Sequence, residues 1–238
     1  MNKKKFRIDI NKNENLQIII EARSTSKRLK RKHLFKFNNI SLIRILIKKL
    51  KKIQNINGII LATTTNIEDE DLINEAKKEE ISIYRGDENN VLERVIGACE
   101  KYNLDSFCRV TGDSPLIDIK YLQLLINNYL HNSELDYISN SIYMPNGQGA
   151  AILKVKALKK ARKYLNKDNK YKEFITLHIL ENLEKFKKMF LYHGDEISNF
   201  KTSSTLDNRS DLNFIKKISN KFDLQKVTIE NIMTVKRK

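Results

Sequence analysis

The chain has 238 residues and a formal net charge of +16 at pH 7, and 40% of its residues are hydrophobic. This length suffices for one sizeable α/β domain, and the composition is typical of a soluble globular protein rather than a disordered one. No apolar run is long enough for a membrane-spanning helix, so we expect no membrane partner. The basic residues 1–5 are followed by no apolar signal core, and we therefore expect a cytoplasmic protein.

The positive charge is spread along the whole chain, for example over residues 48–52, 159–160 and 236–238. The sequence is also rich in Lys, Asn and Ile together, which is typical of an AT-rich genome. We interpret most of this charge as solvated helix surface, and we do not expect a nucleic acid partner. Only the basic segment 28–32 is interpreted as functional, because it lies in a loop that follows a predicted strand.

Strands and helices are predicted to alternate along the chain. Apolar runs rich in β-branched residues predict strands, and apolar positions at helical spacing predict helices. The predicted strands are residues 16–20, 58–62, 81–84, 106–110, 136–139, 150–153 and 189–193. The predicted helices are residues 42–53, 68–79, 91–102, 119–131, 157–164, 172–184 and 209–222. This alternation predicts an α/β fold with a mostly parallel sheet and helices on both faces.

The domain organisation follows from the same pass along the chain. No linker rich in Pro, Gly or Ser and no internal repeat interrupts the sequence. We therefore predict a basic N-terminal extension, residues 1–14, and a single domain, residues 15–238. Residues 85–87 are predicted to form a turn. The regular alternation loosens after residue 141.

The loops behind the predicted strands carry the candidate chemistry, because ligands of parallel sheets bind at the carboxyl ends of the strands. The loop after the first strand is dense in cations and hydroxyls, which are the groups that bind phosphate. Asp113 follows the fourth strand within the segment Gly-Asp-Ser-Pro, where it could also serve a turn. The sequence contains no P-loop, no dinucleotide-binding glycine motif and no Gly-x-Ser-x-Gly nucleophile elbow.

Five segments, taken in order, resemble the sugar cytidylyltransferases. Residues 21–32, Glu-Ala-Arg-Ser-Thr-Ser-Lys-Arg-Leu-Lys-Arg-Lys, are similar to the opening motif of this family, which includes the synthetases of CMP-sialic acid and CMP-ketodeoxyoctonate. Residues 62–66, 84–87 and 109–118 resemble, in particular, its bacterial branch of spore coat polysaccharide biosynthesis proteins, and residues 206–212 resemble the late strand-to-helix acidic motif. The matches extend from about residue 18 to residue 215, and so they cover most of the chain.

The resemblance implies a three-layer, Rossmann-like nucleotidyltransferase fold with a mostly parallel, mixed central sheet. It implies transfer of CMP from CTP to an acidic keto-deoxy sugar with release of pyrophosphate, for surface polysaccharide or glycan biosynthesis. It further implies Mg²⁺ as the cofactor and a homodimer as the assembly. Residues 15–140 would form the nucleotide-binding core, and residues 141–200 would form the sugar-binding and dimerisation region.

The resemblance also assigns roles to individual positions. The implied nucleotide contacts are Ala22, Arg23, Ser26, Arg28, Lys32, Thr63, Thr64, Arg85, Arg109 and Thr111. The implied catalytic residues are Arg23, Lys32, Asp113 and Asp207, of which the two aspartates would hold Mg²⁺. The implied sugar contacts are Asn140, Gln148 and Glu173, for which surface polar roles are equally compatible with the sequence. Asp207 could alternatively cap the following helix.

Two departures from the family pattern leave alternatives open. Thr25 stands where the family normally has a glycine, and Lys30-Arg31 stand where it often has Pro-Gly. One alternative is a nucleotidyltransferase that uses another nucleotide or a sugar- or polyol-phosphate acceptor. The other is a degenerate, basic nucleic-acid-binding protein, which the net charge of +16 would suit. The sequence identifies no general base.

Overall fold

The computed structural model describes residues 14–26, 28–163 and 175–237. Its strands are β1 Leu16–Glu21, β2 Lys36–Phe37, β3 Ile40–Ser41, β4 Gly58–Thr64, β5 Ser82–Gly86, β6 Ser106–Thr111, β7 Tyr137–Ser139, β8 Ala151–Lys154 and β9 Lys188–Phe190. Its α-helices are α1 Leu42–Leu50, α2 Glu70–Lys77, α3 Val91–Lys101, α4 Ile119–His131, α5 Val155–Lys163, α6 Leu177–Glu181, α7 Asp195–Asn199, α8 Arg209–Ser219 and α9 Ile229–Met233. Short 3₁₀ helices cover Lys32–Leu34, Ile67–Asp69, Ser141–Tyr143 and Leu183–Lys185.

The main sheet has seven strands in the order β5-β4-β1-β6-β8-β7-β9. Strands β5, β4, β1 and β6 run parallel, β8 runs antiparallel to both of its neighbours, and β9 runs parallel to β7. The mostly parallel, mixed sheet is therefore confirmed. Strands β2 and β3 form a separate antiparallel pair.

Helices cover both faces of the sheet, so the three-layer architecture is confirmed. Successive side chains of a strand point to opposite faces. Ile18 and Ile20 of β1 accordingly pack in one core with residues of α1, α2 and α4, whereas Ile19 packs in a second core with residues of α3 and α5. A third core joins α8 and α9 to Leu42 and Ile45 of α1. None of the described helices is both long and apolar enough to cross a bilayer.

Several predicted boundaries differ from the structure. The predicted turn at 85–87 is wrong for its first two residues, because Arg85 and Gly86 pair with β4 as the end of β5. The spacing of apolar residues also predicts Ser41 as the N-cap of α1, but its hydroxyl donates to the Glu75 carboxylate and makes no capping hydrogen bond. The pair β2–β3 and helices α7 and α9 were not predicted, because each is only two to five residues long. The predicted helix 172–184 lies partly, and the extension 1–14 almost wholly, outside the described residues.

The carboxyl ends of β1 and β6 come into direct contact at Gly112. The Gly112 N–H donates to the Glu21 carbonyl across 2.8 Å. A Cβ atom at position 112 would lie 2.7 Å from the Ala22 Cβ and 3.2 Å from the His33 Cε1. The loops that follow these two strands therefore meet with no room for a side chain between them.

We expect Gly112→Ala to lower the free energy of unfolding by about 2 kcal/mol, since the added methyl group must push the two loops apart. Urea denaturation of the variant beside wild type would measure the change. Gly58→Ala is the matched control, because its new methyl group would approach only the flexible end of Gln17. Equal stability of the two variants would contradict the tight contact at Gly112.

Candidate active site

A groove of about 660 Å³ opens at the carboxyl ends of the parallel strands. It lies between the basic loop after β1, the loop after β5 and the end of β6. Its walls are formed by Glu21, Ala22, Arg23, Thr25, Ser26, Arg28, Lys32, His33, Glu88, Asn89, Val91, Arg94, Arg109, Thr111, Asp113 and Asp207. Another cavity, of about 710 Å³, lies at the opposite end of these strands beside Asp105 and Lys154 and contains none of the predicted site residues.

One ammonium group joins two carboxylates in the groove. The Nζ of Lys32 lies 2.8 Å from the Asp207 Oδ1 and 3.3 Å from the Asp113 Oδ2. The side chain of Lys32 is only 10% exposed, against 27% and 25% for Asp113 and Asp207. Arg28 adds a second cation, with its Nη2 3.3 Å from the Asp207 Oδ1. The two aspartates are 94 positions apart in the chain, so the fold alone brings them together.

The backbone at Arg31 places the Lys32 side chain. Arg31 has a left-handed conformation with φ of 54°, its N–H donates to the Ser24 carbonyl across 3.1 Å, and its carbonyl accepts from the Leu34 N–H. These bonds close the basic loop and start the 3₁₀ turn that begins at Lys32. The backbone of Lys32 is therefore fixed by hydrogen bonds, and its side chain extends from there into the groove.

The charges around Asp113 keep it ionised. Burial alone would raise the pKa of Asp113, but the Lys32 charge and a hydrogen bond from the Thr111 hydroxyl hold it below its usual value. Burial, followed by the Lys32 charge, lowers the pKa of His33 to about 4. The Nδ1 of His33 donates to the Gly112 carbonyl across 3.0 Å. At neutral pH the groove therefore contains a carboxylate at position 113 and a neutral imidazole at position 33.

A bidentate ion pair between Arg109 and Glu21 lines the groove. The Arg109 Nε and Nη2 lie 2.8 Å and 2.7 Å from the two carboxylate oxygens of Glu21. Burial opposes the charge on Arg109, but the Glu21 carboxylate outweighs it and raises the pKa of Arg109. Because Glu21 ends β1 and Arg109 lies in the adjacent β6, this pair ties together the two strands beneath the groove.

Glu88 connects the basic loop to the loop after β5. Its carboxylate accepts from the Thr25 hydroxyl at 2.5 Å and from the Asn66 amide at 2.6 Å. These hydrogen bonds lower the pKa of Glu88. Its backbone carbonyl accepts from Arg23 at 3.0 Å and from Arg94 at 3.4 Å. Arg23 is therefore held in the groove wall by the same residue that Thr25 contacts.

Comparison with known proteins gives this groove a context. A sequence model of the cytidylyltransferase family matches residues 17–232. The chain belongs to the cytidylyltransferase family. An uncharacterized protein of Methanocaldococcus jannaschii is 33% identical over 90% of this chain and 87% of its own length. The spore coat polysaccharide biosynthesis protein SpsF of Bacillus subtilis is 25% identical over 85% of each chain.

Solved structures agree with this assignment. A cytidylyltransferase from Leptospira borgpetersenii serovar Hardjo-bovis is 26% identical, covers 92% of both chains and superposes with a TM-score of 0.86. A CMP:2-keto-3-deoxy-manno-octonic acid synthetase complexed with CTP is 13% identical, covers 85% of this chain and 97% of its own, and has a TM-score of 0.64. The first likeness confirms the Rossmann-like nucleotidyltransferase architecture, and the second shows the fold alone.

Nine of the residues that the sequence assigns to the site line the groove of this cytidylyltransferase. They are Ala22, Arg23, Ser26, Arg28, Lys32, Arg109, Thr111, Asp113 and Asp207. The alternative role of Asp207 as a helix cap is filled by its neighbour, because the Asn208 side chain accepts from the Asp211 N–H and so caps α8. The Asp207 carboxylate is thereby left to face Lys32.

Thr63 and Thr64, assigned as nucleotide contacts, do not line the groove. Both are fully buried, and their hydroxyls donate to the Asp69 Oδ2 across 2.8 Å and 2.5 Å. The other oxygen of Asp69 accepts from the Ser24 N–H at 2.6 Å. Burial opposes ionisation of Asp69, but these hydrogen bonds outweigh it and lower its pKa. The two threonines thus support the basic loop from beneath.

Arg85 also points away from the groove. Its guanidinium donates to the carbonyls of Thr64, Thr65 and Asn66, and it forms an ion pair with Glu70. The sequence placed Arg85 in a turn, where its side chain would have been free to face a ligand. As part of β5, it instead fastens the loop after β4.

Two of the three implied sugar contacts, Asn140 and Gln148, hydrogen-bond within the protein. The Asn140 Oδ1 accepts from the Ala150 N–H, and its Nδ2 lies 3.4 Å from the His193 Nε2. The side chain of Gln148 is buried; its Oε1 accepts from Asp118, and its Nε2 donates to Leu116 and to Ser204. Neither residue lines the groove. The third implied contact, Glu173, lies outside the described residues.

The structure adds groove residues that the sequence assigned no role. They are Glu21, Thr25, His33, Glu88, Asn89, Val91 and Arg94. Glu88 and Asn89 directly follow the predicted turn, so a boundary two residues longer would have included them. Arg94 has no such signal, because its spacing in α3 is that of an ordinary helix residue. It is buried, and within the described part of the chain its Nε has no hydrogen-bond partner.

We expect Thr63→Val to lower the free energy of unfolding by about 1 kcal/mol, because the variant keeps the side-chain shape but loses the hydrogen bond to Asp69. Thermal or urea denaturation would measure the change. Thr65→Val is the matched control, since Thr65 follows two residues later in the chain and its side chain is exposed. If both variants matched wild type, the Asp69 cluster would not contribute to the stability of the basic loop.

Proposed function

We propose that this chain is a magnesium-dependent enzyme that transfers CMP from CTP to an acidic keto-deoxy sugar and releases pyrophosphate. The product would be an activated sugar for a surface polysaccharide or glycan. One observation carries the proposal: the paired carboxylates of Asp113 and Asp207 share a groove with a loop whose cations suit a triphosphate. Membership of the cytidylyltransferase family supports the choice of nucleotide.

The two carboxylates fit Mg²⁺. This ion takes oxygen ligands, and it usually binds through one or two carboxylates together with substrate phosphates. Asp113 and Asp207 both reach the Lys32 ammonium, so both can reach one metal ion. Among the described residues no group of three or more His, Cys, Asp or Glu could hold a metal, which suits a site completed by the nucleotide. When bound, Mg²⁺ would offset phosphate charge and acidify the attacking hydroxyl.

The cations of the basic loop would hold the triphosphate. Arg23, Arg28 and Lys32 line the groove beside the carboxylate pair, and charge-assisted hydrogen bonds to phosphate are the strong ones. The Glu88 carbonyl orients Arg23, and the closed loop turn orients Lys32. These side chains would stabilise the negative charge that develops as pyrophosphate leaves.

The reaction would proceed by in-line displacement. A hydroxyl of the sugar would release its proton to water and form the new bond to the α-phosphorus, while the bond from that phosphorus to the oxygen that bridges the α- and β-phosphates breaks and pyrophosphate leaves. The imidazole that lines the groove, His33, is a weak base with a pKa of about 4 and is held by Gly112, so we assign it no proton transfer. Asn140 and Gln148 would shape the acceptor side rather than touch the sugar, since their amides are engaged.

The acceptor class rests on likeness to relatives. One similar protein is a spore coat polysaccharide biosynthesis protein, and one structural neighbour is a synthetase of CMP:2-keto-3-deoxy-manno-octonic acid. An acidic acceptor also suits the cations in the groove wall.

We expect the purified protein to release pyrophosphate from CTP and Mg²⁺ when it is given a mixed pool of keto-deoxy sugar acids. Asp113→Ala should reduce this rate by at least about 100-fold, because half of the carboxylate pair is lost. A coupled colorimetric pyrophosphate assay would measure the rates. The control is Glu134→Ala, which removes an exposed carboxylate at the opposite end of the strands.

Two outcomes would contradict the proposal. Absence of pyrophosphate release, together with no rise in melting temperature on addition of CTP, would reject the enzyme. A larger rise in melting temperature with ATP or GTP than with CTP would reject the cytidylyl specificity while keeping the nucleotide site.

A further inference from the structure

The Lys32 ammonium lies where a metal ion bound by both aspartates would lie. It contacts one oxygen of each carboxylate, at 2.8 Å and 3.3 Å, and it is largely shielded from solvent. Arg28 approaches the same Asp207 oxygen from the exposed side. Two like charges at such separations repel strongly when they are partly shielded from water. A divalent cation therefore cannot join this arrangement without displacing the ammonium.

The competitor for the carboxylate pair is a side chain of the same chain, because the Lys32 ammonium contacts both Asp113 and Asp207. Removal of that side chain from the pair requires another anion to receive it.

The phosphates of a nucleotide would be such an anion. Lysine carries a compact charge on a flexible stem with three donors, so its ammonium can change partners while its backbone stays in place. The backbone of Lys32 is held by the turn at Arg31, and its side chain faces the same groove as Arg23 and Arg28. A short swing would exchange the two carboxylates for phosphate oxygens.

We propose that Lys32 is a resident counter-cation that keeps the Asp113–Asp207 pair closed to free metal ions until bound nucleotide phosphates draw its ammonium away. Metal ion and nucleotide would then enter the groove together, and the aspartates would bind little metal beforehand. This inference rests on the proposed function for the identity of the nucleotide. It adds that Lys32 has opposite effects on the two ligands, since it competes with the metal and attracts the phosphates.

The test measures binding, without catalysis. Free Mn²⁺ would be titrated against the full-length protein by electron paramagnetic resonance, with no nucleotide present. CTP affinity would be measured separately by calorimetry in the presence of EDTA. The variants are Lys32→Met and, as matched control, Lys30→Met, which removes the same charge from an exposed position of the same loop that does not line the groove. Asp113→Asn within Lys32→Met would show whether the extra metal binds at the pair.

We expect Lys32→Met to bind Mn²⁺ about fivefold more tightly than wild type and CTP about fivefold more weakly, whereas Lys30→Met should change each by less than about twofold. The added Asp113→Asn should remove the gain in Mn²⁺ affinity. If Lys32 had only a structural role, its replacement would instead lower the affinity for both Mn²⁺ and CTP.

The proposal is overturned if Lys32→Met binds Mn²⁺ no more tightly than Lys30→Met while both variants keep the wild-type melting profile. If Lys32→Met does not fold, Lys32→Gln replaces it in the same titrations with the same expected directions. The pyrophosphate assay is independent of these titrations. A chain that binds Mn²⁺ and CTP as expected but releases no pyrophosphate would reject the proposed reaction and keep the role of Lys32.

Discussion

The parallel alignment of β1 with β6 is the constraint on which the rest of the site depends. It sets Glu21 beside Thr111 at the end of both strands, so the basic loop and the loop that carries Asp113 start from the same edge. The Glu21–Arg109 ion pair and the contact at Gly112 fix the distance between the two loops. With that distance fixed, Lys32 of the basic loop can contact both the Asp113 carboxylate and the Asp207 carboxylate.

Support for the basic loop comes from three separate directions. Asp69 holds the Ser24 N–H from beneath, Glu88 holds Thr25 and Arg23 from the side, and the left-handed Arg31 closes its end. A loop rich in like charges would otherwise spread, because its cations repel one another. Most of these supports are hydrogen bonds from backbone or neutral groups, so the ammonium of Lys32 and the guanidinium of Arg28 remain in the groove wall.

Much of the fold could be predicted from the sequence, because alternating apolar runs report burial directly. The same logic placed Arg23, Lys32 and Asp113 at one edge, since the ends of parallel strands meet there. Contacts between polar side chains are different. Nothing in the spacing of Thr63 shows that its hydroxyl donates to Asp69 rather than to a ligand, because both roles need a polar residue at a strand end. Gln148 was misleading for the same reason, since its amide is consumed inside the protein.

The hydrogen bond between Thr25 and Glu88 has an evolutionary consequence. A glycine at position 25, as in the usual family pattern, offers no hydroxyl, and among the described residues the Glu88 carboxylate would then keep the Asn66 amide as its one hydrogen-bond donor, with the Arg23 guanidinium 4.0 Å away. An acidic residue at position 88 is therefore better tolerated when a hydroxyl stands at position 25. Among relatives that share this groove, the two positions should covary, and chains with glycine in the loop should more often carry a neutral or smaller residue in place of Glu88.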